Sequence, residues 1–149
     1  TPIDQIQMPN ITTPDSGPTH MGAALELLCE KVDKEVQKGS REQKGDWMPI
    51  LFLMTDGKPS DLQTYNEVIP KVKSRHFTNI VACAAGPKAK TEPLLQLTDK
   101  VFQIDSLDSS VFMKFFKWVS GIIEEGGKSI GATEDIVLPP PPAEVNVVI

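Results

Sequence analysis

Two patterns of apolar residues alternate along the chain, and each predicts one kind of element. Three continuous apolar runs lack the alternation of a half-exposed strand, which indicates strands buried on both faces. Stripes at three- and four-residue steps predict amphipathic helices. We expect strands over 49–54, 79–85 and 101–104. We expect helices over 20–38, 60–75, 92–97 and 109–123.

Buried strands that alternate with helices favour an α/β fold with a mainly parallel sheet between two helical layers, a three-layer, Rossmann-like arrangement. Ser60 and Gln63 have the spacing of a capping box, so the second helix should begin there. Pro70 should kink or shorten that helix. Asp108 or Ser109 should cap the last helix. Its aromatic residues have core spacing: Phe112, Phe115, Phe116 and Trp118.

The composition changes after residue 125. Residues 126–149 contain paired glycines and the proline run 139–142, which predicts a Gly/Pro-rich flexible tail with a short polyproline segment. The last five residues, 145–149, are apolar and strand-prone. We therefore divide the chain into one domain at 1–125 and a tail at 126–149.

Charge and cysteine usage exclude some functions. The formal net charge of −5 argues against nucleic acid as the main partner, because phosphate binding needs a basic surface. No apolar run is long enough to span a membrane, and the first residues lack the features of a signal peptide. Cys29 and Cys83 lie among apolar residues, so we expect two buried, reduced thiols and a cytoplasmic location.

Two polar segments carry the candidate chemistry. Thr19 lies in a tight loop at the start of the first helix, and Asp56 follows the first strand directly. Parallel sheets bind ligands outside the carboxyl ends of their strands, so both side chains should lie at one edge, a few ångströms apart. A hydroxyl and a carboxylate suit Mg²⁺, although two oxygens alone hold it poorly.

Segments 17–25 and 53–61 together resemble the second and third loops of the metal-ion-dependent adhesion site of von Willebrand factor A (vWA) domains. The resemblance covers most of the chain, from residue 11 to about 123. It implies a non-enzymatic binding module in which Thr19 is a hydroxyl ligand and Asp56 a carboxylate ligand of a divalent cation. A partner's carboxylate would complete the coordination.

The chain departs from the family pattern at its start. The family's first strand and its Asp-x-Ser-x-Ser loop have no counterpart upstream of Thr19, so the sheet should lack its N-terminal strands and metal binding should be weak. The strand over 49–54 would then have a free edge. Three candidates could cover that edge: residues 1–8, residues 145–149, or a second copy of the chain.

Three further segments, 12–19, 44–49 and 115–120, look like the TerY-type proteins of bacterial tellurium-resistance and stress operons. The resemblance implies a cytoplasmic adaptor whose partners include a phosphatase and a kinase-like protein of the same operon.

Other interpretations of the same residues stay open. Asp56 and Gly57 could form only a turn at a strand end, and Thr19 could be only a helix cap. A doubly wound hydrolase or phosphatase could use Asp56, although the chain has no Walker loop and no Gly-x-Ser-x-Gly elbow. A purely structural module whose metal site has decayed is the third alternative. Metal-dependent partner binding would favour the binding module. Turnover of a phosphoester would favour the hydrolase or phosphatase, and metal-independent binding would favour the purely structural module.

Overall fold

The structure, a computed structural model, describes residues 7, 10, 12, 17–37, 39, 45, 48–106, 108–128 and 138–148. Its first seven elements have the types and the order that the apolar pattern predicts. The helices are α1 (Met21–Glu35), α2 (Leu62–Lys73), α3 (Glu92–Leu97) and α4 (Ser109–Lys128). The strands are β1 (Ile50–Thr55), β2 (Asn79–Ala85), β3 (Val101–Ile104) and β4 (Asn146–Val148).

The described strands form one sheet in the order β1-β2-β3-β4. β1, β2 and β3 are parallel, with Leu51 opposite Ile80 and Ala82 opposite Val101. β4 pairs with β3 in the antiparallel direction. The prediction of a mainly parallel sheet is confirmed.

Successive side chains of a strand point to opposite faces, and this separates two cores. Ala82 and Ala84 of β2 belong to a cluster with α1, α2 and α3. Val81 and Cys83, which alternate with them, belong to a second cluster with α4. The sheet therefore lies between two helical layers, as expected for a three-layer α/β fold.

β1 is less buried than its apolar run predicts. Leu51 and Thr55 are buried, but the other four residues are only half-buried. In the part of the chain that the structure describes, β1 has a strand neighbour on the β2 side alone. The prediction of burial on both faces is therefore wrong for β1 and holds for β2, which is buried at six of seven positions.

The second and last helices differ from their predictions in detail. α2 continues through Pro70 to Lys73. The capping box is wrong, because α2 has Asp61 at its N-cap position and no side-chain hydrogen bond there. In α4, Phe115 and Trp118 are buried as predicted, but Phe116 is 55% exposed. Phe116 points away from the sheet because α4 is covered on one side only by the described residues.

The tail takes part in the fold. Within the predicted tail 126–149, α4 extends to Lys128, and residues 138–148 lie along α4 and β3. Val145 is 4% exposed and belongs to the same core cluster as Phe102 and Trp118. A flexible tail does not describe residues 138–148, because an apolar strand can bury side chains and pair its backbone at a sheet edge.

The tail also removes one candidate for the free edge of β1. β4 pairs with β3, at the opposite edge of the sheet, so residues 146–148 do not cover β1. Most of 1–8 lies outside the described residues. Among the described helices, none has both the length and the apolar character to cross a membrane.

Both cysteines are free and buried, as predicted. Burial raises the pKa of Cys83 to about 12. Burial also raises the pKa of Cys29, and the nearby Arg75 opposes this only in part. Both side chains are therefore protonated thiols at neutral pH and act as small apolar groups.

Candidate functional site

The carboxyl end of β1 leads directly into the loop that holds Asp56. Thr55 is buried, and its Oγ1 accepts a hydrogen bond from the Gly57 N–H at 3.3 Å and lies 3.3 Å from the Gly57 carbonyl oxygen. This local bonding fixes the turn around Asp56, whose own side chain is exposed. Gly57 does not have a positive φ, which among the described glycines occurs at Gly86. The turn after β1 therefore does not depend on the conformational freedom of glycine at position 57.

Two reciprocal hydrogen bonds join this loop to the segment before α1. The Thr19 N–H donates to Ser60 Oγ at 2.8 Å, and the Ser60 N–H donates to the Thr19 carbonyl at 2.9 Å. We call this pair, Thr19 with Ser60, the clasp. A Cβ placed on Gly57 would lie 3.4 Å from Thr19 Oγ1, so the hydroxyl of Thr19 faces the residue that follows Asp56.

Asp61, next to the clasp, caps α1 from a distance of about 40 positions in the sequence. Its Oδ1 accepts from the Gly22 N–H at 3.1 Å and its Oδ2 from the Ala23 N–H at 2.9 Å. These N–H groups belong to the first turn of α1, where backbone donors have no acceptor within the helix. His20, at the N-cap position, makes no side-chain hydrogen bond to them. A carboxylate at this position also interacts favourably with the helix dipole.

The electrostatics of Asp61 agree with this capping role. Partial burial by itself raises the pKa of Asp61, but the hydrogen bonds from Ala23 and Gly22 outweigh it. The pKa of Asp61 therefore lies below its ordinary value, and the side chain is ionised at neutral pH. It stabilises the junction in its charged form.

Gly22 lets α1 and α2 approach each other closely beneath the clasp. A Cβ on Gly22 would lie 2.5 Å from the backbone nitrogen of Tyr65 and 2.8 Å from the backbone carbon of Thr64. Neither backbone atom can move aside cheaply. Tyr65 is fully buried, and its hydroxyl donates to the Pro93 carbonyl at 2.8 Å. The helix junction is therefore rigidly built.

Together these contacts hold two oxygen donors on adjacent loops. Thr19 is half-buried on one loop, and Asp56 is exposed on the other, at the carboxyl edge of the sheet. A hydroxyl and a carboxylate are suitable ligands for a hard divalent cation. In the described part of the chain, no group of three or more His, Cys, Asp or Glu side chains could hold a metal ion. The assignment of Thr19 and Asp56 as metal ligands stays a prediction.

Sequence reasoning missed the two residues that join these loops. The capping-box prediction places Ser60 at the start of α2 and gives Asp61 no role of its own. Their side chains instead bond to the segment 19–23. The signal in the sequence is that the first turn of α1 has no acidic residue, so its N–H groups need an acceptor from elsewhere in the chain.

A parallel sheet between helical layers, with oxygen donors at its carboxyl edge, defines an α/β binding domain. The profile of the von Willebrand factor type A domain matches residues 3–115, and the chain belongs to this family. Domains of this family are commonly metal-dependent protein-interaction modules and are generally not enzymes. No curated protein and no solved structure matches the chain.

Proposed function

We propose that this chain is a protein-binding module that uses a divalent cation at the carboxyl edge of its sheet. Thr19 supplies a hydroxyl ligand and Asp56 a carboxylate ligand, either directly or through water. Mg²⁺ is the cation that these oxygen donors suit best. When bound, the cation supplies a positive charge, and a carboxylate of the partner can coordinate that cation.

The observation that carries this proposal is the clasp. Its two hydrogen bonds, at 2.8 and 2.9 Å, tie the backbone of Thr19 to the loop that contains Asp56. A ligand pair that is already held in place favours cation binding, because ordering two loops during binding would cost conformational entropy. The Asp61 cap adds a second connection between the same segments.

The exposure of the side chains favours partner binding at this edge. Asp56 and Lys58 are both exposed. Lys58 can attract an acidic partner, while Asp56 remains available to the cation. Two protein oxygens fill a minority of the roughly six positions that Mg²⁺ requires, so we expect weak binding by this chain alone.

The partners are a finer proposal that rests on the resemblance to TerY-type proteins. We propose a cytoplasmic adaptor of a bacterial tellurium-resistance or stress-response system. Its partners would include the phosphatase and the kinase-like protein of the same operon. Segments 12–19, 44–49 and 115–120 support this assignment by their sequence.

The test is cation binding by the full chain, followed through the water-proton relaxation of added Mn²⁺ with Mg²⁺ as the competitor. We expect a dissociation constant that is roughly millimolar. Asp56→Ala and Thr19→Ala should each weaken binding about tenfold or more, since even less direct changes at metal sites have effects of this size. Asp99→Ala is the matched control. Asp99 is also exposed, but it precedes β3 and so lies at the amino ends of the parallel strands, away from Asp56.

Three outcomes would contradict the proposal. Equal losses for Asp56→Ala and Asp99→Ala would mean that the cation binds to surface charge in general. Micromolar affinity in the wild-type chain would mean that the ligands are elsewhere. Hydrolysis of a phosphoester that is lost in Asp56→Ala would favour the hydrolase alternative.

A further inference from the structure

Residues 138–148, which we call the strap, bind along a surface formed by β3 and α4. The strap begins at Leu138, continues with the run Pro139–Pro142 and ends in β4. Its chemistry is that of a peptide ligand, since prolines favour an extended, preformed segment and the following strand can pair with a sheet edge.

The proline run contacts an indole, as in many complexes of proline-rich peptides. The Trp118 Nε1–H donates to the Pro139 carbonyl at 3.0 Å. The Trp118 ring packs edge-on against Phe102, with 5.0 Å between the ring centroids. Trp118 is 8% exposed with the strap in place, and it gives the strap an apolar contact and one directed hydrogen bond.

The strand part of the strap uses the edge of β3. Phe102 lies opposite Val147 and Gln103 opposite Asn146. Asn146 Nδ2 also donates to Asp105 Oδ2 at 3.2 Å, and Asp105 Oδ1 accepts from Gln103 at 2.6 Å. This is recognition by strand addition, in which backbone bonds provide affinity and side-chain contacts provide specificity.

Few of these contacts are deeply buried. The ion pair between Lys114 and Glu144 is exposed, and β4 is only three residues long. Val145 is the one strap residue that is buried, at 4% exposure, whereas Val147 is 53% exposed. This edge strand is much less buried than β2, and segments with few buried contacts open more readily than core strands.

We propose that the edge of β3, together with the adjoining face of α4 at Lys114 and Trp118, is a second protein-binding surface. It takes a proline-rich segment that ends in a short β-strand, and the strap is its built-in occupant. A partner's segment of the same chemistry binds by displacing the strap. This surface is separate from Thr19 and Asp56 and does not depend on a cation.

The test uses the full chain and a labelled peptide with the sequence of residues 138–148. Peptide binding to the wild-type chain is reduced by competition from the strap, because only the open fraction of the surface is available. Val145→Asp weakens the strap and leaves the surface unchanged, so the peptide should bind this variant about tenfold more tightly. Val147→Asp is the matched control, with the same change at an exposed position, and should behave like the wild type.

Two further variants test the contacts themselves. In the Val145→Asp chain, Trp118→Phe keeps an aromatic ring but removes the donor to Pro139, and peptide affinity should fall severalfold. Lys114→Glu should also weaken binding, and a peptide with Glu144→Lys should restore it. Circular dichroism checks that each variant is folded. If Val145→Asp is not, Val145→Ala, which removes part of the same buried side chain, replaces it as the strap-weakening change.

Three results would overturn the proposal. The first is equal peptide affinity for the wild-type chain and the strap-weakened variant. The second is no peptide binding to either protein. The third is a wild-type chain that is a dimer by exchange of the strap between copies, since the strap would then not occupy its own chain. Loss of Mg²⁺ binding in Asp56→Ala would not change any of these measurements, so the two proposals fail independently.

Discussion

The clasp region and the strap are both held in place by contacts between residues that are far apart in the sequence, but the contacts differ in kind. At the clasp, backbone groups bond to Ser60 and Asp61, and two helices touch at Gly22. At the strap, most side-chain contacts are exposed, and only Val145 is buried. Contacts of the first kind tolerate little change where the two helices touch, because the backbone of α2 cannot move aside for a larger residue at Gly22. Contacts of the second kind can be exchanged for water or for another peptide.

The largest expected effect is at Gly22. Gly22→Ala should lower the free energy of unfolding by about 3 kcal/mol, because the new methyl group would collide with the backbone of α2. Urea unfolding measures this. Gly121→Ala is the matched control: Gly121 lies within α4, and a Cβ there meets nothing within 4 Å. It should be stabilising by about 0.5–1 kcal/mol, owing to the higher helix propensity of alanine. Similar destabilisation by both changes would show that the helix junction is not closely packed.

A smaller effect is expected at Asp61. Asp61→Ala should lower the free energy of unfolding by about 1 kcal/mol at neutral pH, as the loss of a helix cap usually does. Because the folded-state pKa of Asp61 is lowered, its contribution is present above the ordinary pKa of an aspartate. It is lost as the pH falls through the lower folded-state value. The stability difference between wild type and Asp61→Asn, measured in urea at several pH values, should therefore shrink on acidification. A difference that does not change with pH would show that the charge is unimportant.

The smallest effect is expected at the strap. Lys114→Ala removes the exposed ion pair with Glu144, whose pKa is lowered mainly by the hydrogen bond from Lys114. Strap occupancy should change less than about twofold, and raising the salt concentration should abolish the difference. The emission of Trp118 in a Trp47→Phe background reports the occupancy. Lys117→Ala, another exposed lysine of α4, is the control. A large effect of Lys114→Ala would mean that the strap is held as firmly as the clasp.

The periodicity of apolar residues was sufficient to predict the first seven elements and their order. The limits of α3 and β3 agree with the sequence because each is a short apolar segment between polar residues. The predicted ends of α1 and α4 were less accurate, since fraying or continuation of a helix depends on the contacts beyond it. The positions of Thr19 and Asp56 at a helix start and a strand end also followed from the local sequence.

Tertiary structure alone decided which polar and apolar groups meet. Ser60 and Asp61 have the local pattern of a helix start, yet they bond to the segment before α1, because that segment lies within reach and has free N–H groups. Phe116 has the spacing of a core residue but lies on the uncovered side of α4. Residues 146–148 have strand chemistry that suits any open edge, and they pair with β3. Local sequence determines what a segment can form, whereas the choice among distant partners depends on where the rest of the chain places them.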